Sequence, residues 1–167
     1  MAETTPDAIE KQVMLRAPLA RVWSAISDSR QFGSWFGVRF DGPFKAGERI
    51  VGKIAPTTAD AQVAEMQKPY EGMTFDITVD RIEPQQLFSF RWHPAAIDPT
   101  ADYSQEPTTL VMFKLQEVSG GVLLTITESG FNAVPLSRRA DAFKMNEGGW
   151  SAQTMLIEKY LAKPVAS

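Results

Sequence analysis

The chain has 167 residues, of which 44% are hydrophobic, 22% charged and 10% aromatic; this fits one ordinary globular domain and would cramp two. Its 17 lysines and arginines stand against 20 aspartates and glutamates, a net charge of −3, so nothing favours phosphate neutralisation and nucleic acid is not an expected partner. Cysteine is absent, which excludes disulfides, thiolate nucleophiles and cysteine-ligated metal centres.

Residues 1–8 read as a polar arm without the basic start or apolar run of a secretory signal. No segment approaches the run of about 18 apolar residues that spans a bilayer, so the expected location is cytoplasmic. Ile9 to Leu15 offers a short strand. From Pro18, which suits the first turn of a helix, Leu19, Val22, Trp23 and Ile26 mark one face of a short amphipathic helix. Ser27-Asp28-Ser29 interrupts it, and Phe32, Trp35 and Phe36 predict a second short helix.

The pattern then changes to strands, expected near residues 37–41, 47–55, 73–82, 86–92, 108–118 and 121–129. The clearest is the third, where Met73, Phe75, Ile77 and Val79 alternate with Thr74, Asp76, Thr78 and Asp80. Gly120-Gly121 supplies the positive φ of a tight hairpin between the last two. Pro94 to Pro107 reads as a long surface loop, either a lid or a plain insertion. Helical patterning returns from about Arg138 to Leu161, with Phe143, Trp150, Thr154, Ile157 and Leu161 along one stripe. Gly148-Gly149 costs about 1 kcal/mol per glycine within it, so the helix either kinks there or packs closely against something. This order is α+β with sequential antiparallel pairing and a curved sheet wrapped about one helix. The domain is expected to run over residues 9–163, with a tail at 164–167.

Three early segments, Ala17-Pro18-Leu19-Ala20-Arg21-Val22-Trp23, Phe32-Gly33-Ser34-Trp35-Phe36-Gly37 and Phe40-Asp41-Gly42-Pro43-Phe44-Lys45-Ala46-Gly47, occur in an order that resembles a known family. Phe90-Arg91-Trp92-His93-Pro94, Glu128-Ser129-Gly130-Phe131 and Asn146-Glu147-Gly148-Gly149-Trp150 continue the resemblance. The family is the activator of heat-shock-protein-90 ATPase homologue-like branch of the START-like SRPBCC superfamily. The resemblance implies a helix-grip (START/Bet v-like) fold: about seven antiparallel strands curve around a long C-terminal helix, with two short helices after the first strand and a cavity between sheet and helix. Superfamily members include lipid and hormone carriers, polyketide cyclases and aromatases, and co-chaperone domains, and fold alone does not choose among them.

The residues themselves carry little catalytic patterning. Nucleophile-elbow, phosphate-loop, dinucleotide and zinc-protease motifs are all missing, and one histidine cannot build a multi-histidine metal site; neither a metal nor a cofactor is expected. His93, at a strand end, is either a cavity-rim acid or base or a histidine held by a structural hydrogen bond. Glu128 shares a strand face with Val122, Leu124 and Ile126. It is therefore either a carboxylate at the cavity, able to accept a proton, or a strand terminus emerging to solvent or bonded to a loop amide. Arg91 should point outward, opposite Phe90 and Trp92.

Trp35, Phe36, Phe40, Phe75, Phe90, Trp92, Phe131, Phe143 and Trp150 form an aromatic set that can fill a core or wall a pocket, and Trp150 stands out because two glycines precede it. The expected function is a binding module holding a small hydrophobic or aromatic molecule, rather than an enzyme. The alternatives are a cyclase- or aromatase-like enzyme using Glu128 or His93, and a co-chaperone-like domain contacting a chaperone partner through an exposed face or the loop acids Asp98 and Asp102. An exposed edge strand could also support a homodimer.

Overall fold

A computed structural model describes residues 6–95 and 102–162. The end of the N-terminal arm, the loop centre with Asp98, and the C-terminal tail lie outside the described residues. Strand β1 (Ala8–Leu15) leads into helices α1 (Leu19–Ser27) and α2 (Ser29–Phe36), then strands β2 (Val38–Phe40) and β3 (Arg49–Ile54). Helix α3 (Ala61–Gln67) and a 3₁₀ turn at Lys68–Tyr70 precede β4 (Thr74–Glu83), β5 (Leu87–Trp92), β6 (Thr109–Val118) and β7 (Gly121–Ser129). A second 3₁₀ turn, Phe131–Ala133, introduces helix α4 (Leu136–Ala162).

The strands form one antiparallel sheet in the order β1-β7-β6-β5-β4-β3-β2, so β2 to β7 pair with their sequence neighbours. β1 does not: it lies along β7, with Ala8 opposite Ser129 and Leu15 opposite Val122. The first and second strands therefore occupy opposite edges of the sheet, and α1 and α2 carry the chain between them. Both helices pack against α4. This is the α+β helix-grip arrangement.

Asp28 separates the two short helices. Its extended backbone ends α1, and its carboxylate caps α2 by accepting from the Arg30 amide at 3.0 Å, which satisfies one of the orphan donors of a helix start. α2 buries Phe32 and Trp35. The Trp35 indole donates to the Ala25 carbonyl at 2.8 Å, tying α2 to α1. The Phe32 ring sits among Phe44, Phe88, Phe90 and Phe113, with centroids 5.7 to 6.4 Å away. Phe113 follows the alternation of a half-buried strand on β6, whereas β5 is buried on both faces from Leu87 to Phe90. Between Val79 and Arg81 the β4–β5 register shifts, a bulge of the kind that bends a strand and adds to sheet curvature.

The two glycine pairs behave differently from the sequence reading. In the β6–β7 hairpin only Gly120 has positive φ, +87°. Gly121 is needed for space, because a Cβ there would lie 2.2 Å from the Leu15 carbonyl oxygen of β1. Gly148 and Gly149 are exposed within an uninterrupted α4, and a Cβ at either would meet nothing within 4 Å. Close packing is thus not the reason for them.

Candidate functional site

At one end of the interface between sheet and α4 lies a cavity of about 1030 Å³. The C-terminal end of α2, strands β3 to β5, α3 with its 3₁₀ turn, and the middle of α4 all contribute to its wall. Phe36, Phe75 and Trp92 form the aromatic part, with Phe36 and Phe75 each 6.3 Å from Trp92 between ring centroids. Tyr70 and Met145, both substantially exposed, join them. Gln67, Asn146 and Gln153 supply amides.

The mouth is ionic. Arg49 donates to Asp76 at 2.8 Å, and that hydrogen bond raises the arginine pKa above its ordinary value. Asp102, also a lining residue, has its carboxyl pushed down first by hydrogen bonding from Ser104, which includes the Ser104 amide at 2.9 Å. Arg138 at the start of α4 fastens both ends of the neighbouring loop. It pairs with Glu106 at 2.8 Å, donates to the Pro94 carbonyl at 3.1 Å, and lies 4.8 Å from the Tyr103 ring centroid. His93 lines the cavity, and because a carbonyl oxygen only accepts, its Nε2 donates to Glu106 O at 3.0 Å.

Behind this wall sits Glu128, fully buried on β7. Trp92 and Trp150 donate their indole N–H groups to its carboxylate, each at 2.8 Å. The Asn146 amide nitrogen reaches both oxygens, at 2.9 and 3.0 Å, and the Thr109 hydroxyl also bonds to it. Among the described residues no lysine, arginine or histidine forms an ion pair with Glu128. Four neutral side chains from β5, β6 and α4 thus replace the water that burial removes, as a buried charge requires. Two of them, Trp92 and Asn146, present another part of themselves to the cavity. Glu128 accordingly sets the orientation of the wall without lining it. The sequence readings placed this residue at the cavity, at the solvent or against a loop amide, whereas its partners are side chains of β5, β6 and α4.

Of the nine aromatics singled out from sequence, Phe36, Phe75 and Trp92 line the cavity. Trp150 is 2% exposed and stands one layer back, 5.7 Å from Trp92 and 6.1 Å from Phe36. Trp35, Phe90 and Phe131 are core residues. Phe40 packs on Phe44 and Phe75, and Phe143 on Phe131. Arg91 is exposed. Sequence reasoning missed Gln67, Tyr70, Asn146 and Gln153. The first two belong to α3 and its turn, which bury no residue and so show no apolar stripe; the available signal was Asp60, whose carboxylate caps α3 through the Val63 amide at 2.9 Å.

A family model described as "Activator of Hsp90 ATPase homolog 1-like protein" matches residues 16–162. The chain belongs to this family. No curated protein matches it. Among solved structures it is similar to DynU16, a protein of the dynemicin biosynthetic locus, at 24% identity and a TM-score of 0.66 over 94% of this chain; it spans only 48% of that chain. MLL2253 from Mesorhizobium loti is 20% identical with a TM-score of 0.66, covering 92% of this chain and 96% of its own. The Aha1 dimer from Colwellia psychrerythraea is 13% identical with a TM-score of 0.66, over 95% and 98% respectively. These likenesses establish the helix-grip fold of the family member. Among the described residues no helix is long and apolar enough to cross a membrane, and no group of three or more His, Asp or Glu side chains could hold a metal ion.

Proposed function

We propose that this family member binds an uncharged, largely aromatic or apolar small molecule in the cavity between sheet and α4. The supporting observation is the cavity itself: about 1030 Å³ of space walled in part by Phe36, Phe75 and Trp92, just above the roughly 300 to 1,000 Å³ range common for ligand pockets. Rings supply contact area, and a few amides set orientation. Arg49 is the only lysine or arginine among the described lining residues, and Asp76 engages it. Asp76 offsets its charge and Asp102 adds another carboxylate to the lining, so the wall holds no excess positive charge for an anionic ligand.

Binding is tested by native mass spectrometry of freshly purified protein and a thermal-shift screen of neutral polycyclic molecules. A retained or stabilising compound whose effect falls at least tenfold in affinity in Phe75→Ala supports the assignment. Equal stabilisation of wild type and Phe75→Ala by every active compound would place binding elsewhere.

A further inference from the structure

Glu128 leaves a negative charge behind the cavity wall that no cation cancels. Its partners are two indoles, an amide and a hydroxyl, all neutral, and among the described residues no lysine, arginine or histidine pairs with it. Each of its oxygens receives an indole N–H, Oε2 from Trp92 and Oε1 from Trp150. Indoles only donate, so both oxygens accept, a demand that the ionised carboxylate meets.

Glu128 has no accessible surface, so a ligand does not touch it. Its charge acts on the cavity through Trp92. That indole spends its N–H on the carboxylate at 2.8 Å, and its ring lies 6.3 Å from those of Phe36 and Phe75, the other aromatic lining residues. Trp92 therefore offers the cavity ring carbon and no polar hydrogen. A hydrogen bond to a carboxylate pushes electron density into the indole and deepens the negative potential that an aromatic face already carries. Trp150, polarised by the same carboxylate, stands 5.7 Å behind Trp92 with 31° between the ring planes. At the mouth Asp76 and Asp102 outnumber Arg49. The wall and the layer behind it thus share one sign of potential.

Resting on the cavity reading above, we infer that the ligand's aromatic system is electron-poor: an uncharged ring with conjugated electron-withdrawing groups, whose face is positive where that of Trp92 is negative. Rings enriched by alkoxy or amino groups meet like potential with like. A full cation would have to shed its hydration against an apolar wall without reaching Glu128.

Two uncharged probes test this, the dinitro and dimethoxy derivatives of naphthalene substituted at the same two positions, titrated by calorimetry and followed by absorption. They are close in size and opposite in electron demand. The dinitro compound should bind about three- to tenfold tighter, and its complex should show a long-wavelength charge-transfer band that neither component has alone. Because the field of a buried charge is little screened, high salt should leave the affinity ratio unchanged. In Glu128→Gln the ratio should shrink; if that variant does not fold, the salt series and the band carry the decision. A ratio that vanishes in high salt, or one unaltered in folded Glu128→Gln, would overturn the role of Glu128. Equal affinities or the reverse order, with both probes lost in Phe75→Ala, would overturn the electron demand and leave the cavity assignment standing, and absence of the band would also overturn it. Failure of both probes to bind, with the fold intact by circular dichroism, would reject the cavity reading and this inference together.

Discussion

Replacing Glu128 by glutamine changes one oxygen to an NH₂ group, a substitution usually chosen to remove ionisation and nothing else. The surroundings of this residue make it far more disruptive. Placed at the Oε2 position, the new NH₂ faces the Trp92 indole N–H and the Asn146 amide; the Thr109 hydroxyl can rotate to accept, but the indole cannot. Placed at Oε1, it faces the Trp150 indole N–H and the same Asn146 amide. Either way at least one buried indole loses its acceptor, at about 1 to 3 kcal/mol. The remaining bonds fall from charge-assisted to neutral strength, roughly half. Relief of burying a charge offsets part of this. The net expectation is a loss of about 3 kcal/mol, a large share of a stability of typically 5 to 15 kcal/mol. Urea unfolding followed by tryptophan fluorescence and circular dichroism measures it. A change below about 1 kcal/mol with an unaltered denaturant slope would refute the reasoning, since it would mean that the donors find other partners at no cost.

The glycine pairs yield opposed expectations: Gly121→Ala would put a Cβ 2.2 Å from the Leu15 carbonyl oxygen, forces β1 away and should destabilise by about 1 to 3 kcal/mol, whereas Gly148→Ala should stabilise by about 1 kcal/mol, both read by chemical denaturation. A stable Gly121→Ala would show that the β1–β7 edge is loose in solution. Asp60 accepts from Lys159 and from the Val63 amide, and the Lys159 hydrogen bond above all holds its carboxyl below the ordinary 3.8. Because its folded pKa is depressed, the cap and the link to α4 are fully present above about pH 4 and are lost as pH falls through the folded value. The Val63 amide resonance should titrate with a midpoint below 3.8, and a midpoint at or above that would disprove the link.

Local periodicity was enough for much of the framework. The alternation from Met73 to Val79 marks β4, the spacing of Leu19, Val22, Trp23 and Ile26 marks α1, and the apolar stripe after Arg138 marks α4, because one dry face leaves a regular trace at period 2 or 3.6. The ordered segments from Ala17 to Trp150 carried the family resemblance on top of that pattern. Asp60 and α3 escaped since an element that buries nothing leaves no such trace.

Periodicity tells which side of an element is dry but not what stands opposite it. That is why Glu128 could be placed on the same face of β7 as Val122, Leu124 and Ile126 while its four partners, at positions 92, 109, 146 and 150, could not be foreseen. The same limit hid the pairing of β1 with β7 and the reason for Gly121, both of which depend on residues more than 100 positions apart meeting at a sheet edge. It also could not tell which of the nine aromatics border the cavity, and the glycines before Trp150 pointed to a ring that stands one layer back. Whether a ring fills space or borders it depends on the backbone around it, and only the closure of sheet, α2 and α4 left Phe36, Phe75 and Trp92 beside an open volume while sealing Trp35, Phe90 and Phe131 inside.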